Sequence, residues 1–453
     1  EEIEDRFPDY ADLITPKPMT LAMAKASLRP GESLIVSHVS KSKTYVWAVP
    51  QQGDVAFATL NLGDELLSEK IAALRTALDP GTIAALGDIP AFDIAVAHEL
   101  YTKILKPVEA GWKDAKSLVV VADGPLGQLP FSLLVTAPAN LPAEKGVLFA
   151  NYRSLPWLAK SQAVTMLPSV ASLKALRGSR VARKGRRPFV GFGDPYFSVA
   201  QLSEARSQLA SQKPGQIAAR SFRLRSAPNT RSVDSAEIER LPRLADTRDE
   251  ITAIAAALKA DPNRDIFLGE RASEARVKNM ELKPYQVISF ATHGLVPGDL
   301  NGLNQPALAL SAPRVTGDKG DGLLTMGEIL GLKLDADFVV LSACNTAAAE
   351  GAGAEAVSGL GRAFFYAGAR SLLVSNWPVH SGATTELMTH MFKSLANDNT
   401  LTRAEALRRT RIAMINEGVF KVDGKAAFSY AHPIFWAPFT IVGDGGGAKA
   451  ATN

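Results

Sequence analysis

After Pro30 the apolar residues come in short runs broken by turn residues, over 33–39, 44–49 and 55–60, and this pattern predicts three short strands in antiparallel order. The spacing then lengthens. Over 64–78 the apolar positions Leu66, Leu67, Ile71, Ala72 and Leu74 follow a helical period, and 93–105 repeats it. A continuous apolar run over 117–122 ends in Asp123-Gly124-Pro125, which reads as a buried strand closed by a turn.

From Pro188 onward short apolar strands alternate regularly with amphipathic helices. The predicted strands are 189–192, 287–291, 338–343 and 371–375, and the predicted helices are 249–259, 273–280, 355–366, 384–396 and 403–416. Such alternation implies an α/β fold built on a mostly parallel sheet with helices on both faces. Functional residues in such sheets lie just past the carboxyl ends of strands. No solenoid period is visible, although two α/β halves, roughly 30–170 and 188–443, suggest a weak internal duplication.

Composition adds limits to this picture. With 46% hydrophobic and 21% charged residues the chain has ordinary globular proportions, and its 453 residues suit two cores or one large duplicated core. A single cysteine excludes an intramolecular disulfide. No apolar run reaches the length of a membrane span, and Glu1-Glu2-Ile3-Glu4-Asp5 has no signal-like pattern. Since the chain begins without Met, a processed or truncated piece of a longer protein is expected. The charge of +4 is too mild to argue for nucleic acid. The basic cluster Lys174, Arg177, Arg180, Arg183, Lys184, Arg186 and Arg187 reads as a solvated linker, and 206–231, rich in Ser, Gln and Arg, as a long mobile loop. Neither interleaves aromatic residues with its charges, so no nucleic-acid partner is expected; no membrane partner is expected either.

Two strand ends carry reactive residue types. The run 287–291 leads into Thr292-His293-Gly294, and 338–341 leads into Ser342-Ala343-Cys344. A thiol attacks as thiolate, and only a small fraction ionises at neutral pH unless a base stands beside it. His293 is the candidate base and Cys344 the candidate nucleophile, 51 positions apart, close to the spacing of caspases. Gly294 suits an oxyanion hole, because its backbone N–H can approach substrate without a side chain in the way, with the N–H of Cys344 as second donor. Taken alone, one cysteine after a strand is more often an inert buried residue. His38, His98, His390 and His432 read as structural. No zinc pattern, Gly-x-Ser-x-Gly elbow or phosphate loop occurs, and Gly191-Phe192-Gly193 runs into Asp194-Pro195, which argues against a dinucleotide. No cofactor is expected.

Segments Ser289-Phe290-Ala291-Thr292-His293-Gly294 and Leu341-Ser342-Ala343-Cys344-Asn345-Thr346-Ala347 resemble the two active-site blocks of the CHAT family, caspase-like peptidases related to separase and often fused to tetratricopeptide repeats. Asp123-Gly124-Pro125-Leu126, Gln305-Pro306-Ala307-Leu308 and Ser375-Asn376-Trp377-Pro378-Val379 extend the likeness over about 30–443. The resemblance implies a caspase-hemoglobinase-like fold: an N-terminal segment 1–29, a silent pseudo-caspase half 30–187, a catalytic half 188–443 and a flexible tail 444–453. It further implies a cysteine endopeptidase acting on protein substrates through an acyl-thioester, and a repeat domain before Glu1 that engages a regulatory protein partner. The residues leave the location open, with cytoplasmic favoured for a bacterial-type protein. The alternative is a catalytically silent scaffold that keeps the fold for partner binding. The caspase fold implies a specificity pocket walled by Asp194, Asn376, Trp377 and Val379. With His380-Ser381-Gly382 where many relatives have acids, and Asp194 expected as a lone carboxylate open to water, the pocket is expected to take an uncharged residue held by apolar contact with Trp377.

Overall fold

The computed structural model describes residues 19–80, 86–177, 185–211, 238–300, 302–342 and 359–446. The three leading apolar runs form β1 (Glu32–Val39), β2 (Thr44–Pro50) and β3 (Ala56–Leu60), paired antiparallel as their tight turns require. Next come β4 (Ser117–Val121), β5 (Ala163–Met166), β6 (Arg187–Gly193), β7 (Ile266–Leu268) and β8 (Tyr285–Ala291). A small sheet holds β9 (Gly294–Leu295), β10 (Ala307–Ala309) and β11 (Leu323–Thr325), followed by β12 (Phe338–Leu341) and β13 (Ser371–Ser375). The hairpin β14 (Val419–Val422) and β15 (Lys425–Ser429) precedes the last strand, β16 (Phe439–Gly443).

Eleven of these strands make one sheet in the order β3-β2-β1-β4-β5-β16-β13-β12-β8-β6-β7. It contains two parallel groups that run in opposite directions. β1, β4, β5 and β16 are parallel to one another, β13, β12, β8, β6 and β7 are parallel to one another, and the groups meet in the antiparallel pair β16/β13. The mostly parallel α/β sheet expected from the alternation is therefore present, with a seam that the alternation did not reveal. β5, β7 and β16 were not among the predicted strands. Each is five residues or shorter, too short for apolar periodicity to separate strand from loop or helix end.

The flanking helices include α1 (Leu21–Ser27), α2 (Asp64–Thr76), α3 (Val170–Arg177), α4 (Val199–Ser211), α5 (Thr247–Ala257), α6 (Gly359–Ala367), α7 (Ser381–Asn397) and α8 (Arg403–Asn416). α5 packs directly on β6, and two glycines allow it. A Cβ at Gly191 would lie 2.8 Å from the Ile251 side chain, and one at Gly193 equally close to it. The Gly-Phe-Gly run thus serves helix–strand approach.

Two readings of the basic residues are corrected. The cluster near 174–187 is not a solvated linker where it is described. Arg177 lies in α3 and binds Glu32 at 2.7 and 2.8 Å, Arg186 reaches Asp337 at 2.8 Å, and Arg187 reaches the Tyr285 hydroxyl at 2.9 Å. Paired guanidinium groups with apolar stems are part of the packed structure. The stretch 206–231 begins as helix, since α4 continues to Ser211; residues 212–237 lie outside the described residues.

Candidate active site

β6, β8, β12 and β13 are adjacent and parallel, so the segments leaving their carboxyl ends share one edge of the sheet. Register makes this concrete. Gly193 stands beside Ala291, Leu341 beside both Phe290 and Val374, and the Ser342 N–H donates to the Phe290 carbonyl at 2.9 Å. Asp194, His293, Ser342 and Asn376 therefore all emerge on that edge. Cys344 follows Ser342 by two residues and lies outside the described residues.

His293 is fully buried. Its Nε2 lies 2.7 Å from the carbonyl oxygen of Pro242, and because a carbonyl can only accept, Nε2 carries the proton. In the neutral ring this leaves Nδ1 as the basic nitrogen. Phe197 packs against the imidazole with ring centroids 5.5 Å apart. Two hydrogen bonds fix the segment from below: the Ala309 N–H donates to the His293 carbonyl at 2.9 Å, and the Thr292 hydroxyl donates to the Ala309 carbonyl. Gly294 begins β9 and stands opposite Leu308 of β10. A second apolar cluster under this small sheet, with Phe197, Leu241, Leu295 and Leu300, supports both His293 and the Pro242 segment.

Asp194 is not the open carboxylate that its sequence position suggested. It has no exposed surface, and both oxygens are taken. Arg243 binds Oδ1 at 2.7 Å and Oδ2 at 2.8 Å, and Arg248 adds bonds to Oδ2 at 3.0 and 2.8 Å. Burial alone would lower the pKa of Arg243, but the bond to Asp194 and its charge outweigh this and raise it. The Asp194 backbone is left-handed, with φ 48°, a conformation Asp tolerates better than most side chains, and its N–H donates to the Thr247 hydroxyl at 2.7 Å.

The other expected pocket residues belong to the interior. Trp377 is wholly buried and its indole N–H donates to the Ile434 carbonyl at 3.2 Å, so it offers no wall for an apolar contact with substrate. Val379 is also buried. Asn376 spends its amide on the Pro438 carbonyl and the Thr440 hydroxyl, at 2.8 and 2.9 Å. Beneath the edge, Ser342 donates to the buried Glu250 of α5 at 3.0 Å. Pro242, Arg243, Arg248, Phe197 and Glu250 were all missed from sequence. A backbone carbonyl has no residue signature, and Arg243 and Arg248 gain meaning only through contacts about fifty residues distant in the chain. Among the described residues no group of three or more His, Asp or Glu has a metal-holding arrangement, and no helix is long and apolar enough to cross a membrane.

A mixed α/β protein with a carbonyl-tethered histidine just past one central parallel strand, beside the strand that leads to its single cysteine, is the class that fold and site define. The family model described as the CHAT domain matches residues 95–444, and the chain belongs to the CHAT family. It is 29% identical over 204 residues to Tetratricopeptide repeat protein 28 of Mus musculus and 28% to that of Homo sapiens. That match covers 39% of this chain and 8% of each relative's length. Among solved structures it is similar to separase in the Saccharomyces cerevisiae separase–securin complex, with 10% identity, a TM-score of 0.45, and 96% of this chain and 30% of that chain covered. Mature and pro-domain RgpB of Porphyromonas gingivalis matches with 10% identity and a TM-score of 0.39 over 84% of this chain and 76% of that chain.

Proposed function

We propose that this chain is a cysteine endopeptidase in which His293 is general base to Cys344. The observation that carries the reading is the 2.7 Å contact of Nε2 with the Pro242 carbonyl, which supports Nδ1 as proton acceptor just past the end of the strand beside the one running to Cys344. In the proposed reaction Nδ1 takes the thiol proton and the thiolate attacks the scissile carbonyl. The oxyanion is met by the N–H groups of Gly294 and Cys344, and His293 returns the proton to the leaving amine. Water then hydrolyses the acyl-thioester. Asp194 is already paired with two guanidinium groups, so the proposed preference before the scissile bond is an uncharged residue, by contacts other than Trp377. Protein partners engaged through repeats outside this chain complete the proposal.

The second reading is a silent scaffold, favoured by the complete burial of His293, since a base must reach solvent or substrate to work. One experiment separates the two: proteome-wide mapping of new N-termini made by the wild type and not by Cys344→Ala. With a substrate so found, His293→Ala is expected to lower kcat/KM by about 10²–10⁴-fold. No cleavage dependent on Cys344 leaves the scaffold.

A further inference from the structure

The two residues on either side of Pro242 are each held by the segment that follows β6. On one side, the Gln201 side-chain amide donates to the Leu241 carbonyl at 2.8 Å, while its Oε1 accepts the Phe197 N–H at 2.8 Å. On the other side, Arg243 is clamped by Asp194 through two bonds of 2.7 and 2.8 Å, and its guanidinium lies over the Tyr196 ring, 4.8 Å from the centroid. A carbonyl flanked by two anchored neighbours has little freedom to rotate. Pro242 adds its own fixed φ.

We infer that Gln201 and the Asp194–Arg243 pair are positioning residues that aim the Pro242 carbonyl at His293 and so set the tautomer and basicity of the imidazole. Asp194, which the sequence offered as a pocket acid, acts here through Arg243. The inference rests on the proposed Cys344–His293 dyad. A carbonyl accepting from Nε2 stabilises the imidazolium, and the imidazolium in turn stabilises the thiolate. Loosening the carbonyl lowers the imidazole pKa and carries the thiol back toward its ordinary titration near pH 8.5.

Because Cys344 is the sole cysteine, the rate of its alkylation by iodoacetamide against pH reports the dyad without any substrate. The expected wild-type midpoint lies well below 8.5 and is lost in His293→Ala. In Arg243→Ala, and independently in Gln201→Ala, the midpoint is expected to rise by about one unit, with alkylation at pH 6 slowed about tenfold. A merely structural role would lower the melting temperature and leave this profile in place. Gln201→Ala removes one partly buried amide, so it keeps the test open should Arg243→Ala not fold. An unchanged profile in the folded variants, with the wild-type profile perturbed and dependent on His293, overturns the positioning role alone. A wild-type midpoint near 8.5 that ignores His293→Ala overturns the dyad and this inference with it.

Discussion

His432 and His293 are both fully buried histidines, yet their surroundings give them different fates. His432 caps the turn Pro433–Trp436, its Nδ1 accepting from the Ile434 N–H at 3.2 Å, within a cage of Phe149, Tyr152 and Phe435. Burial pulls its pKa down to about 3 against a smaller opposing bond to Pro90. The folded state thus holds it neutral while the unfolded chain takes up a proton below about 6.5. Its contribution is present above pH 6.5 and is lost as pH falls toward 3, at roughly 1.4 kcal/mol per unit. Urea unfolding at pH 7 and pH 5 is expected to show this loss in wild type and a smaller one in His432→Asn, which keeps an acceptor for Ile434. Local sequence also decided which site residues could be read. The position of His293 just past a central strand was legible because strand, His and Gly are contiguous. Asp194 was misjudged because its partners, Arg243 and Arg248, lie 49 and 54 residues away.

Among the elements, those with strong local signals matched closely. β13 and α8 occupy the predicted 371–375 and 403–416; α8 opens on Thr402, whose hydroxyl accepts from the Glu405 N–H at 3.1 Å, an N-cap that sequence readily shows. α7 begins three residues earlier than predicted because His380 caps it, Nδ1 accepting from the Ala383 N–H at 3.2 Å, and histidine is not a usual capping signal. The end of α6 gives a sharp test. Gly368 follows the helix at φ 114°, and a Cβ there would stand 2.4 Å from the Leu334 carbonyl oxygen. Gly368→Ala combines left-handed strain with a backbone clash, and a loss of roughly 3 kcal/mol in urea unfolding is expected. An unchanged midpoint would mean the turn can relax, which its bonds from Leu334 N–H to Ala367 and from Gly368 N–H to Phe365 argue against.

At the scale of the whole molecule, one ionic knot ties distant parts of the chain beside the seam. Asp444, just past β16, binds Arg29 at 2.6 and 3.0 Å and Arg177 at 3.2 Å, and Arg177 also holds Glu32 at the start of β1. Burial would raise the Asp444 pKa, but the Arg29 bond and the charges of Arg29, Arg177 and Arg403 leave it lowered. Its stabilising effect is therefore present above the ordinary carboxylate range and lost as pH falls below it. Asp444→Asn removes one of the two carboxylates that Arg29 and Arg177 share, leaving them Glu32, and is expected to cost roughly 2 kcal/mol at pH 7, with a flatter acid limb in thermal unfolding. β16 itself has a consequence in time. It is the strand that β5 and β13 share, yet roughly 270 residues of chain separate it from Met166 at the end of β5. At the usual pace of synthesis, about 5–20 residues per second, a ribosome delivers it some tens of seconds after β5 has emerged. Until then the nascent sheet keeps an open edge along β5, and nascent chains arrested before residue 439 are expected to be cut by added protease far faster there than chains arrested after β16 has cleared the exit tunnel.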